Sequence, residues 1–186
     1  YGKILKDCDK YLAEKWGKDV WIEQTRPYYI GEALKLNLGC GYKHIDGYVN
    51  IDNREETAPD MVIDIINGLP FDDNSVDEVV AFDFLEHIPI GKTIFVITEI
   101  WRVLKPGGIF ESLTPSTDGR GAFQDPTHVS FWNRNSWLYY SHKGHRDLYG
   151  IEANFSITDI DDIVTDKKMN IIHTHVIGKA VKHEAD

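Results

Sequence analysis

The chain is 186 residues long, enough for one domain with a buried core, and its composition of 42% hydrophobic and 27% charged residues is that of an ordinary globular protein. A formal net charge of −10, from 30 acidic and 20 basic residues, argues against a nucleic-acid substrate, because neutralising phosphates needs a basic face. No window approaches the ~18 consecutive apolar residues of a membrane-spanning helix, and Cys8 and Cys40 are too few for a disulfide framework, so a reducing, cytoplasmic setting is expected.

The opening Tyr1-Gly2-Lys3-Ile4 has neither an initiator Met nor a signal-peptide core, the pattern of a trimmed chain. Residues 4–16 carry Ile4, Leu5, Cys8, Leu12 and Trp16 at helical spacing. Pro27 and Gly31 break the chain before a first strand, Leu34-Lys35-Leu36-Asn37-Leu38, which ends at Gly39-Cys40-Gly41. Tyr48-Val49-Asn50-Ile51-Asp52 reads as a second strand and Met61-Val62-Ile63-Asp64 as a third. Residues 76–82 form a largely apolar run suited to a central strand. Helical spacing over residues 90–104 stops at Lys105-Pro106-Gly107-Gly108, and Ile109-Phe110-Glu111-Ser112-Leu113 is the next strand. Residues 114–150 are rich in aromatics, His, Asn and Gly, with one short helical candidate over 135–141. Strand-like segments follow over 155–160 and 171–182. Strands alternating with helices and loops make an α/β domain with a mostly parallel sheet.

In such a sheet ligands sit beyond the carboxyl ends of the strands, where the strand order reverses, and the Gly39-Cys40-Gly41 loop stands there. Glycine permits the tight turn and lets backbone approach a ligand. Cys40, between the glycines, reads as a small loop side chain and not as a nucleophile. Asp52, ending the next strand, sets a carboxylate beside the loop to accept ribose hydroxyl protons. A dinucleotide site would want Gly-x-Gly-x-x-Gly, a helix N-terminus for the pyrophosphate and an acid about 20 residues on. Here His44 takes the third glycine's place and Asp52 follows Gly39 by only 13 residues. Residues 42–47 are too few for a crossover helix. The spacing disfavours NAD and favours a nucleoside cofactor without phosphates.

Leu36-Asn37-Leu38-Gly39-Cys40-Gly41 and Val49-Asn50-Ile51-Asp52 resemble the first two motifs of class I S-adenosylmethionine-dependent methyltransferases. Phe84-Leu85-Glu86-His87-Ile88 resembles the segment after that family's fourth strand, and residues 101–108 its helix-to-fifth-strand turn. The resemblance runs from about Leu34 to Leu113, and it is nearest to small-molecule methyltransferases with a short or missing first crossover helix. It implies a Rossmann-like three-layer sandwich with a mostly parallel sheet and an antiparallel final strand. The domain would cover residues 34–186 after a helical lead-in over 1–33, with 114–150 on the acceptor side. The implied cofactor is S-adenosyl-L-methionine. Gly39 and Gly41, with Cys40 between them, would lie against its methionine part, and Asp52 would bind its ribose. Asp64 and Ile65 would flank the adenine, and Asp83 would face the methionine end. Asn37 stands where the family commonly has an acid; an amide still orients the loop, at the loss of one negative charge. Asp64 also reads as a loop cap, and Glu86 and His87 as residues that orient a helix start.

Methyl transfer from a sulfonium is an in-line displacement that depends on positioning, and a hydroxyl acceptor also needs a base. Residues 114–132 combine polar groups with large aromatics, and Asp125-Pro126-Thr127-His128 resembles a segment of methyltransferases acting on sugars and other small metabolites. His128 is the candidate base or acceptor contact, with Asp125 orienting it; a loop clamp is the bland alternative. His142, His145 and Asp147 offer a possible ligand pair with an acid, but basic neighbours would repel a cation, so no metal is expected there. The leading expectation is methyl transfer to a small molecule, a sugar-like hydroxyl among the candidates. The alternatives are a non-catalytic S-adenosylmethionine-binding module or subunit and, more weakly, a nucleotide-dependent oxidoreductase. No nucleic-acid partner is expected.

Overall fold

The computed structural model describes residues 33–182. The expected helix over 4–16 and Cys8 lie outside the described residues. Among the described residues are seven strands: β1 (Lys35–Leu38), β2 (Val49–Asp52), β3 (Met61–Val62), β4 (Val76–Phe82), β5 (Leu104–Pro115), β6 (Phe155–Asp166) and β7 (Ile171–Ala180). They form one sheet in the order β3-β2-β1-β4-β5-β7-β6. β1 to β5 pair in parallel, and β7 runs antiparallel to both of its neighbours, β5 and β6. This is the mostly parallel, Rossmann-like α/β sheet with a reversed final strand that the sequence led us to expect.

Register decides which face is apolar. Leu36 pairs with Val79, and Val79 with Phe110, so three fully buried side chains share one face of the central sheet. The neighbouring row is polar: Lys35 pairs with Glu78, and Tyr48 donates to the same carboxylate at 2.7 Å. Helix α1 (Thr93–Val103) buries Val96, Ile97, Ile100 and Val103, the apolar stripe of an amphipathic helix. The Arg102 guanidinium ties its last turn to the loop before β4, donating to Glu99, Asp73 and the carbonyls of Leu69 and Phe71. No helix among the described residues is long and apolar enough to cross a membrane.

Two expectations shift. The helix ends at Val103, and Leu104 is already extended, paired with Val76; the Lys105-Pro106-Gly107-Gly108 turn sits inside β5 as an irregularity, with pairing resuming at Ile109 opposite Glu78. The turn is thus a bulge in a strand and not a stop between elements. Beyond β5 the acceptor-side segment holds three short helices, α2 (Gly121–Gln124), α3 (Leu138–Ser141) and α4 (Lys143–Tyr149), where one was expected. Their anchor is aromatic: Trp132, Trp137 and Tyr140 pack together, and Trp137 lies 5.7 Å from the Phe110 ring on the sheet. The β6–β7 hairpin runs past the carboxyl end of β5, where Pro115 pairs with His173.

Candidate functional site

The carboxyl ends of β1, β2 and β4 meet where the strand order reverses, and a cavity of about 500 Å³ opens there. Residues 39–48, between β1 and β2, contain no helix. Their loop is held instead by side chains. Asn37 is buried and its Nδ2 donates to the Lys43 carbonyl at 3.0 Å and to Asn50 Oδ1 at 2.9 Å. Asn50 Oδ1 also accepts from Ile45 N at 2.8 Å, while its Nδ2 donates to Asp60 at 2.9 Å. Position 37 therefore has to donate, which an ionised acid cannot do. Its amide is spent inside the loop, and Asn37 is not among the residues lining the cavity. Asn37→Asp, which restores the acid common in the family, is expected to destabilise the protein by on the order of 2–4 kcal/mol, two lost hydrogen bonds with a carboxylate facing two acceptors. A thermal melt equal to that of the wild type would contradict this.

Gly39 lines the cavity with φ +64°, and a Cβ there would meet the Phe84 ring at 2.1 Å. Cys40 and Gly41 lie behind the cavity wall. The Cys40 amide donates to the Ile51 carbonyl at 3.0 Å, and burial, aided by the Asp52 and Asp60 carboxylates, pushes its thiol up to about 11. That thiol is no nucleophile at neutral pH. Gly41 N donates to Asp52 Oδ2 at 2.8 Å. Asp52 is buried at the end of β2 and lines the cavity; its Oδ1 accepts from Arg54 N at 2.9 Å and Arg54 Nε at 3.3 Å. Asp64 and Ile65 line the opposite wall. Asp64 is exposed, and its Oδ1 accepts from Ile66 N at 3.4 Å, so it caps the short turn Ile65–Asn67 while keeping its other oxygen free.

Asp83 stands just past β4 at φ +50°, an uncommon backbone for a residue with a Cβ. Its carboxylate lies 3.3 Å from His173 Nε2 and 3.2 Å from Lys43 Nζ, and these partners, His173 first, hold its pKa below the usual carboxylate range. Asp83 and His87 also line a second cavity, of about 470 Å³, together with Glu86, Asp125, His128 and His173. His173 gave no signal in the sequence, because only the β4-β5-β7 order brings it to Asp83.

His128 and Asp125 are brought together, though not by a hydrogen bond: Asp125 Oδ2 is 4.0 Å from His128 Nε2. Asp125 Oδ1 accepts from Thr127 N and Oγ1, which holds its pKa low. The orienting contact on His128 comes from the Ala122 carbonyl, 3.3 Å from Nδ1. His142 and His145 lie elsewhere, their Nδ1 atoms 3.2 Å apart. The residue that the sequence undervalued is Glu86. It is almost wholly buried, neither carboxylate oxygen has a hydrogen-bond partner, and burial pushes its carboxyl up to about 8.

Comparison with known proteins agrees with this geometry. Residues 36–111 match the family described as methyltransferase domain. A chain from the complex of the Haloferax volcanii Trm112 methyltransferase activator with a methyltransferase superposes with a TM-score of 0.60 at 18% identity, covering 97% of this chain and 99% of that one. A SAM-dependent methyltransferase of Methanosarcina mazei gives 0.59 at 18%, over 84% and 96%. The Burkholderia thailandensis 1,6-didemethyltoxoflavin-N1-methyltransferase, solved with bound 1,6-didemethyltoxoflavin and S-adenosylhomocysteine, gives 0.58 at 13%, over 97% and 89%. No curated protein sequence matches. The family match spans the motifs that build the first cavity, and the fold is the one that solved S-adenosylmethionine-dependent methyltransferases share.

Proposed function

We propose that the protein transfers a methyl group to a hydroxyl of a small molecule, a sugar-like one among the candidates, in a reducing, cytoplasmic setting. The observation that carries this reading is the junction of two cavities at Asp83 and His87, one with the cofactor motifs on its walls and one lined by polar and imidazole groups. The first suits S-adenosylmethionine: its volume is that of a small-ligand site, and it has carboxylates at Asp52 and Asp83 but no helix terminus for a pyrophosphate. The cofactor supplies an electrophilic methyl on a sulfonium.

In this reading Asp52 holds the ribose, Asp64 and Ile65 border the adenine, and the Gly39 backbone lies along the methionine part, with Cys40 and Gly41 supporting the loop from behind. Asp83, kept ionised by His173 and Lys43, presents negative charge towards the sulfonium and amino groups. On the acceptor side His128 keeps its Nδ1 proton on the Ala122 carbonyl, which leaves the Nε2 lone pair to meet the acceptor's hydroxyl. Asp125 Oδ2 lies 4.0 Å from that nitrogen, on the same side of the cavity wall. The reading of a binding subunit without transfer rested on Asn37 and on the compact size of the chain; the two donations of the Asn37 amide give that departure a structural role in the loop.

The test is incubation with methyl-labelled cofactor and a panel of hydroxylated and aminated metabolites. Label is expected in a hydroxylated product, and His128→Asn should slow transfer by about 10²–10⁴-fold with cofactor binding unchanged. Label only in an amine, or none in any product, would overturn the reading.

A further inference from the structure

Glu86 has no task in the scheme above, yet burying a carboxylate without a partner is costly. Two imidazoles face it. His87 Nε2 and His128 Nε2 each lie 4.0 Å from Glu86 Oε1, and one ligand atom from each of the three residues falls within 4.8 Å of the others.

The protons on the two rings are fixed by what surrounds them. His87 Nδ1 lies 3.3 Å from the Thr127 carbonyl and 3.3 Å from Thr127 Oγ1, whose own proton goes to Asp125 Oδ1 at 2.6 Å. His128 Nδ1 faces the Ala122 carbonyl at 3.3 Å. Carbonyls only accept, so each ring gives its Nδ1 proton to one and turns Nε2 towards Glu86. The cluster is then two imidazole Nε2 atoms converging on a buried carboxyl group that has no hydrogen-bond partner. The neighbouring cation, Lys43, pairs with Asp83.

We propose that Glu86, His87 and His128 hold a divalent transition-metal ion, of the zinc, cobalt or iron(II) class, at the wall of the acceptor cavity. Two imidazoles and one carboxylate select such ions, whereas magnesium and calcium prefer oxygen shells. Ligating histidines usually give their other N–H to a carbonyl or carboxylate, as both do here. With bonds of about 2.1 Å, ligand atoms stand roughly 3.0–3.4 Å apart, so each Glu86–imidazole contact closes by about 0.6–1.0 Å and no pair by more than about 1.8 Å. His87, its side chain 39% exposed, is free to make that move. Three protein ligands leave a position open for a substrate oxygen. The catalytic use of the ion rests on the methyl-transfer reading and refines it. His128 Nε2 would then serve as a ligand in place of its role as base, the ion would make a coordinated acceptor hydroxyl more acidic, and Asp125, 4.0 Å from His128 Nε2, would be a carboxylate near enough to take the proton.

The test starts from tag-free protein stripped with a chelator and titrated with cobalt(II). A visible absorption band saturating at one equivalent and displaced by zinc is expected. Glu86→Gln, which keeps the shape of the core, and His87→Asn, at an exposed position, should each weaken binding by about 100-fold while the melt stays cooperative. No saturable band, or a band unchanged in both variants, overturns the site and leaves Glu86 a protonated core acid. Labelled transfer is then assayed with stripped and reloaded protein. Full transfer by stripped protein overturns the ion's catalytic use and leaves methyl transfer intact. A variant-sensitive band without transfer under any of the three metals upholds the site and removes the methyl-transfer reading instead.

Discussion

Alanine at position 39 is expected to abolish binding of S-adenosylmethionine and to lower stability by on the order of 2–5 kcal/mol, the sum of left-handed backbone strain and overpacking. Gly39 has φ +64°, and its absent Cβ is the space taken by the Phe84 ring, 2.1 Å from where that atom would be. Phe84 has a partly buried side chain packed on the core, so the ring cannot retreat without opening the wall it shares with the cavity. A domain of this size should lose roughly 4–20 °C in Tm, at about 2–4 °C per kcal/mol. Adding Phe84→Ala should recover the overpacking part but not the backbone part, so the pair is non-additive. Calorimetric titration and a thermal melt of both variants check this. A single variant that melts with the wild type would show that the loop relaxes in a way its packing does not suggest.

The sheet was legible because each strand carries its own pattern. Val76–Phe82 is bounded in the structure as in the sequence, and β1 and β2 differ by one residue at the start. What failed depended on partners far along the chain. Leu104 reads as the last turn of a helix until Val76 is known to lie beside it, and then it is a strand residue with a bulge to follow. β6 continues to Asp166 through an exposed, acid-rich stretch that no apolar pattern marks, because β7 supplies its hydrogen bonds. α4 contains Lys143, Gly144 and His145, poor helix material that folds onto its neighbour α3.

The site divides in the same way. Gly39, Asp52, Asp64 and Asp83 could be named because each follows a strand whose carboxyl end is where a ligand belongs. His173 could not, since its partner Asp83 is met through two intervening pairings of the sheet. Glu86 was visible as a residue but not as a problem. Its isolation appears only when the loop after β5 folds back, with Val129 N and Ser130 N on the Glu86 carbonyl and two imidazoles around its carboxylate.

Asp52→Ala is expected to weaken S-adenosylmethionine binding by roughly 100-fold or more, given about 1.5–3 kcal/mol for each hydrogen bond to a charged group. The substitution also leaves the Gly41 and Arg54 amides without their acceptor, so the glycine loop loses its tether to β2. A carboxylate accepts about four hydrogen bonds, and Asp52 already accepts three: from Gly41 N, Arg54 N and Arg54 Nε. Holding both ribose hydroxyls needs two sites, one more than remain. The weakest of the three is the Arg54 Nε contact at 3.3 Å, made by a side chain that is half exposed. Arg54 is therefore the group expected to yield if the ribose binds at Asp52. Arg54→Ala should leave affinity within about threefold of the wild type, or slightly tighter, because it removes only an exposed ion pair worth roughly 0–1 kcal/mol. Parallel titrations of the two variants separate the roles. An Arg54→Ala protein as weak as Asp52→Ala would mean that the guanidinium, and not only the carboxylate it covers, touches the cofactor.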